Sequence, residues 1–244
     1  MNHASLFSGI GGFDLAAQWM DWNNIFQVEW DEWCQKILTK NFPNVKKYKD
    51  IKEFDGTKYR GSVDIISGGF PCQPFSTAGK RQGEADDRYL WPEMLRVIRE
   101  VKPAFVVGEN VAGLVSMDNG KTLEGIFSNL ENEGYTVESF IIPAYAIGAI
   151  HRRDRVWIIG YITNACSNGL NRNKKFKERL KREAFHESYS CIEYIRDNKI
   201  AELNRKYDGL SSKLDHDRIK GLGNAIVPQV AFEIFKVIEQ LTNK

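Results

Sequence analysis

The chain has 244 residues, 42% of them hydrophobic and 27% charged. That balance excludes disordered, collagen-like and membrane classes and leaves room for one large domain, or one with an appendage. The formal net charge of +2 hides an asymmetry: residues 164–220 carry 14 Lys/Arg against 9 Asp/Glu, and the remainder 20 against 23. A basic segment inside a mildly acidic body points to a polyanionic partner.

The longest apolar stretch, residues 141–150, is about half of what a membrane-spanning helix needs. The N-terminal residues lack the charged and apolar regions of a secretory signal, so a cytoplasmic protein with no membrane partner is expected. Cys34, Cys72, Cys166 and Cys191 have no CxxC spacing and join the histidines in no ligand pattern. Reduced thiols and no metal site are therefore expected.

In chain order, a strand at residues 3–7 runs through a glycine-rich turn into a helix at 14–22. A second strand (25–30) and helix (31–42) follow. Further strands are predicted at 63–67, 104–110 and 155–161, with helices at 92–101 and 121–134 between them. Strand–helix alternation predicts an α/β fold with a largely parallel sheet. Residues 135–144 read as an antiparallel return strand. Beyond Tyr161 the sequence turns polar, basic and turn-rich, and helical periodicity returns only over 225–241. Residues 165–218 thus read as an insertion, after which the last helix rejoins the first domain.

Five motifs carry chemistry. In FSGIGGFDL (7–15), Gly9, Gly11 and Gly12 permit positive φ and close backbone approach to a ligand. Asp14 stands where the dinucleotide fingerprint wants glycine, which disfavours NAD. Glu29 ends the second strand, where an acidic side chain can hold ribose hydroxyls, and Asp50-Ile51 offers a further contact near an adenine ring. A plain tight turn is the competing reading of the glycines. In GGFPCQPFSTAGKRQG (68–83), Cys72 lies between two prolines at a strand end, with a polar loop after it. Structural thiols usually sit inside apolar runs, so this one reads as a presented nucleophile beside a closing lid. AFVVGENV (104–111) delivers Glu109 to the end of another strand, where strand ends face a common crevice and burial raises a carboxyl pKa. In HRRDRVWIIG (151–160), strand alternation sets Arg153 and Arg155 on one face, a pattern that by itself reads more readily as a solvated strand edge. GLGNAIVPQVA (221–231) opens the last helix, with Asn224 also readable as a plain cap.

Taken in order, FSGIGG, Glu29-Trp30, GGFPCQPFS, GENV, RRDR and GNAIVP resemble the cytosine-5 DNA methyltransferases of bacteria and phages. The resemblance runs from Phe7 to Gln229. It implies a Rossmann-like S-adenosylmethionine-dependent methyltransferase fold with a small target-recognition insertion. Residues 1–164 would form the catalytic and cofactor-binding domain, 165–218 the recognition region and 219–244 the returning segment.

The implied reaction is methylation of carbon 5 of a flipped-out cytosine. Cys72 would be the nucleophile on carbon 6, Glu109 the partner of nitrogen 3 and the amino group, and Arg155 with Arg153 the holders of the base carbonyl and local backbone. S-adenosylmethionine would meet Phe7, Gly9, Gly11, Glu29, Trp30, Asp50, Ile51, Leu90 and Asn224. DNA would meet Gln73, Ser76, Lys80 and Arg81, with residues 76–90 as the closing loop. Double-stranded DNA is the implied partner, with a cognate restriction endonuclease or phage self-protection as setting, and the protein is expected to be a monomer.

Two departures stand out. Ile150-His151 replaces the family's Pro-Gln, and residues 207–224 form a shortened version of the motif that usually supports the recognition region. A tRNA-methylating relative would carry Cys-Phe-Thr, whereas Cys166 precedes Ser-Asn and Cys191 precedes Ile-Glu. A DNA-binding relative without turnover is the other alternative, disfavoured by intact Cys72, Glu109, Arg153 and Arg155.

Overall fold

The computed structural model describes residues 1–71, 89–147, 153–162 and 224–242. Seven strands form one sheet: β1 (Asn2–Leu6), β2 (Asn23–Val28), β3 (Lys46–Tyr48), β4 (Ile65–Gly68), β5 (Phe105–Val111), β6 (Tyr135–Pro143) and β7 (Asp154–Ile162). Their order is β3-β2-β1-β4-β5-β7-β6. The α-helices among the described residues are α1 (Gly12–Trp19), α2 (Glu32–Asn41), α3 (Trp91–Val101), α4 (Lys121–Asn132) and α5 (Pro228–Thr242).

Alternation along each strand divides the core between the two faces. Ile66, Val106 and Ile158 pack on one face with Met94, Leu95 and Ile98 of α3 and Ile126 and Leu130 of α4. Their sequence neighbours Ile65, Val107 and Ile159 turn to the other face, against Phe13, Ala16 and Ala17 of α1 and Ile234, Phe235 and Ile238 of α5. A sheet covered on both sides accounts for the continuous apolar runs of β4 and β5.

The predicted strands and helices recur with shifted ends. The second strand stops at Val28, leaving Glu29 and Trp30 in the turn beyond it. The first helix stops at Trp19 because Asp21 takes a left-handed φ of 55°. The last helix begins at Pro228, where a proline suits the first turn and keeps the preceding residue out of helical conformation. Three-residue β3 lacked the length and alternation to be legible.

The return strand needs correction. Among the described strands β6 pairs only with β7, in antiparallel fashion, and β7 is antiparallel to β5 as well. The strand that runs against the rest of the sheet is therefore β7. The crossover through α4 carries β6 past β5 in the parallel sense, and β7 returns between them.

Helix α5 packs on α1 through aromatic rings, Phe235 stacking on Phe13 with centroids 6.3 Å apart. Beyond the end of α1, Trp22 also stacks on Phe235, with centroids 4.8 Å apart, and its Nε1 donates to Glu239 Oε1 at 2.9 Å. This closeness has a steric condition at the glycine turn: a Cβ on Gly12 would lie 2.6 Å from Cγ1 of Ile226.

Candidate active site

The carboxyl ends of β4 and β5 meet where the candidate nucleophile segment begins. Glu109, near the end of β5, is 7% exposed. Its Oε1 lies 2.9 Å from Nε of Arg155 on β7. Its Oε2 faces Gly69, where a Cβ would come within 3.2 Å. The glycine thus lets the carboxyl reach the chain just before Pro71 and Cys72. Burial raises the Glu109 pKa to about 6, although the charges of Arg155 and Arg153 pull it back. Such a carboxyl can accept or donate a hydrogen bond near neutrality.

Asn110 is a residue whose role the sequence reading did not assign. Its Nδ2 donates to the carbonyl of Phe70 at 2.9 Å, and its Oδ1 accepts from the N–H of Val111 at 2.9 Å. Phe70 in turn packs against Trp91, with centroids 5.1 Å apart. The Leu90 N–H donates to the Pro71 carbonyl at 3.4 Å, which brings the two flanks of residues 72–88 together. The only available signal for Asn110 was its place inside the GENV motif.

Cys72, Gln73, Ser76, Lys80 and Arg81 lie outside the described residues, as do Arg152, the 165–218 insertion and most of the 76–90 loop. Of the four cysteines, Cys34 is described and is buried in α2.

The arginine pair differs from the expected alternation. Arg155 is inside β7, but Arg153 precedes it with φ +35°, so the period-2 rule does not extend to Arg153. Its Nη2 donates to the carbonyl of Ala225. Arg155 therefore pairs with Glu109, while Arg153 grips the segment that holds Asn224.

On the other side of β1, Phe7 and Gly9 take positive φ (52° and 56°). A Cβ on Gly9 would meet nothing within 4 Å. Glu29 braces this turn: its Oε2 accepts from the N–H of Gly9 and its Oε1 from that of Asp31, each at 2.7 Å. Trp30 is 64% exposed beside this turn, and Lys49 Nζ lies 5.5 Å from its ring. Asp50 caps its own turn by accepting from Lys52 N–H at 2.9 Å, and Ile51 is buried. Phe7 and Leu90 are half-buried, and Asn224 is exposed.

Beneath the glycine turn lies a buried polar network that the motifs did not reveal. Ser5 Oγ donates to the Asp14 carboxylate at 3.0 Å and meets Ser8 Oγ at 2.7 Å. Asn24 Nδ2 donates to the Asp14 carbonyl at 2.9 Å, which leaves its Oδ1 facing His3 Nδ1 at 2.6 Å. The His3 proton therefore resides on Nδ1, and Nε2 accepts from Ser67 Oγ at 2.7 Å. Burial lowers the His3 pKa and raises that of Asp14, with attraction between the two opposing both shifts. The network ties the glycine turn to β4, the strand that runs on to Cys72.

The sheet order with its reversed β7, and a glycine turn after β1 facing acidic residues after β2, define the class of Rossmann-like methyltransferases. The chain belongs to the C-5 cytosine-specific DNA methylase family, whose model matches residues 1–214. It is 29% identical over 240 residues to the type II methyltransferase M.HgiBI of Herpetosiphon aurantiacus, an alignment covering 98% of this chain and 53% of that protein. With the type II methyltransferase M.HpaII of Haemophilus parainfluenzae it shares 42% identity over 164 residues, 64% of this chain and 44% of the relative. The chain thus spans about half the length of the curated relatives it matches. A DNMT2 mutant structure from Spodoptera frugiperda superposes with a TM-score of 0.65 over 98% of this chain and 99% of that one. At 13% identity that likeness concerns the fold. No helix among the described residues is long and apolar enough to cross a membrane.

Proposed function

We propose that this chain transfers a methyl group from S-adenosylmethionine to carbon 5 of cytosine in double-stranded DNA, as the modification half of a restriction–modification or phage self-protection system. The observation that carries this reading is the buried Glu109–Arg155 pair against Gly69, two strand ends from the glycine turn and immediately before Cys72. The donor supplies a methyl group on a positively charged sulfur. The residues of this turn fit that donor: open space at Gly9, an exposed Trp30 face, the Glu29 carboxylate bonded to the Gly9 N–H, and no basic residue in the 7–12 turn.

Cys72 as thiolate adds to carbon 6 of the base, forming a carbon–sulfur bond and pushing electrons to carbon 5. Glu109 stabilises that electron-rich base by hydrogen bonding or proton sharing at nitrogen 3, and Arg155 orients Glu109 while facing the base carbonyl. Methyl transfer to carbon 5 would leave the donor's sulfur as a neutral thioether, after which loss of the carbon 5 proton to water and departure of the Cys72 thiolate restore the ring double bond. A stacked base cannot reach these groups, so flipping is required, at a cost of a few kcal/mol. Gln73, Ser76, Lys80 and Arg81 are proposed for DNA contact, residues 165–218 for target recognition, residues 1–164 for catalysis and residues 219–244 for the return to that domain.

The test is transfer of labelled methyl from S-adenosylmethionine to DNA, with tRNA as competing acceptor, by wild type and Cys72→Ser. Transfer to DNA by wild type alone supports the proposal. Equal transfer by both proteins overturns the role of Cys72, and preference for tRNA overturns the substrate.

A further inference from the structure

We infer that Arg96 of α3 is a positioning residue for the adenine end of the donor site, acting through the backbone of Ile51. The inference rests on the proposed function, and on the donor contact of Asp50 and Ile51 that the family resemblance implies. The segment between β3 and β4 contains only turns and one short 3-10 helix, Thr57–Tyr59, so an outside support must fix the residues near adenine. Arg96 provides it. Its Nη1 donates to the Phe54 carbonyl at 2.9 Å, and its Nη2 donates to the Ile51 carbonyl. The guanidinium is itself held by two carboxylates of its own helix, Glu93 Oε2 at 2.8 Å from Nε and Glu100 Oε1 at 2.7 Å from Nη1.

Glu100 completes the staple, since its Oε2 accepts from the Gly56 N–H at 2.8 Å. Three backbone groups between Ile51 and Gly56 therefore hang on one ion-paired unit of α3. A planar five-donor guanidinium can satisfy two carbonyls and two carboxylates at once, whereas an ammonium cannot reach that set. Leu90 immediately precedes the same helix. One helix thus supports two walls of the donor site, Leu90 by chain connection and Ile51 through Arg96. Arg96 touches no reacting group in this arrangement, so its removal should weaken donor binding without changing the chemical step.

The test measures S-adenosylmethionine and S-adenosylhomocysteine binding to the full chain by calorimetry, with kinetics and amide hydrogen exchange, for wild type, Arg96→Met and Arg96→Lys. Loss of hydrogen bonds to a charged group predicts a rise of about tenfold in both dissociation constants for Arg96→Met, with kcat at saturating donor within about twofold. Amides of residues 50–56 should exchange faster, those of β5 should not, and Arg96→Lys should recover part of the binding. Unchanged binding by Arg96→Met, or a fall in kcat at constant affinity, overturns the inference while leaving the proposed function intact. A wild type that binds neither ligand overturns the proposed function and this inference with it. Should Arg96→Met not fold, Glu100→Gln carries the test: faster exchange at Gly56 with weaker binding of both ligands supports the staple, and wild-type values for both overturn it.

Discussion

Arg155 stands opposite Val111 in the antiparallel β5–β7 register, which makes Glu109 its diagonal neighbour two residues along. The resulting 2.9 Å pair depends on β7 running against the sheet. Burial raises the Glu109 carboxyl while Arg155 lowers it. Replacing Arg155 with Met should therefore move the Glu109 titration upward from about 6, a change read by carbon-13 NMR of the labelled carboxyl. A downward or absent shift would contradict this pairing.

Removing the ionisable group tests its part in turnover. Glu109→Gln cannot share a proton with nitrogen 3, and loss of a positioned acid–base group costs about 10²–10⁴-fold in rate. The expected outcome is a fall of that order in kcat with a folded protein by circular dichroism. Wild type is expected to show a pH–rate limb near the Glu109 pKa of about 6, and the variant should lack it. That limb falls as pH rises if the protonated carboxyl is the active form.

Arg153 should behave differently from Arg155. Its hydrogen bond to the Ala225 carbonyl supports the segment carrying Asn224, so Arg153→Ala is expected to raise KM for the donor by about tenfold and change kcat less. Arg155→Met is expected to depress kcat. Steady-state kinetics of the two variants, varied in donor, separates them, and identical profiles would contradict the division of labour.

The glycine turn predicts a paired effect on stability. Gly12→Ala places a methyl 2.6 Å from Ile226 Cγ1, an overpacking that costs about 1–3 kcal/mol. Ile226→Ala in the same chain should recover part of that loss. Denaturant unfolding of the two single variants and the double variant measures the coupling.

His3 makes stability pH-dependent. Its folded pKa is depressed by burial, so the unfolded state takes up a proton first as pH falls below about 6.5. This contribution to stability is complete above that value and is lost progressively at lower pH. His3→Phe should remove the contribution, so the stability difference between wild type and variant shrinks from pH 7.5 toward about pH 5.

Much of the architecture was legible because alternation and glycine–strand–helix order are local properties. Ile65 and Ile66 show two-sided burial in a continuous apolar run, and FSGIGG marks a turn by composition alone. Glu109 and Arg155 could be nominated from motifs, but their contact depends on the reversal of β7, which no local pattern encodes. Arg153 departs from alternation through one left-handed backbone angle. Asn110 reaches Phe70, Arg96 reaches Ile51 and Phe54, and His3 reaches Asn24 and Ser67, all 21 to 64 residues away. Side-chain identity gave no hint of those partners.

The most direct measurement concerns the bond that the proposed chemistry requires. Duplex DNA containing 5-fluorocytosine at target cytosines, incubated with the full chain and S-adenosylmethionine, blocks loss of the carbon 5 substituent and traps the adduct. Mass spectrometry should find the methylated fluorocytosine strand attached to the Cys72 peptide, and no adduct with Cys72→Ser. Sustained methyl transfer to ordinary DNA without such an adduct, or with attachment at another residue, would contradict the account.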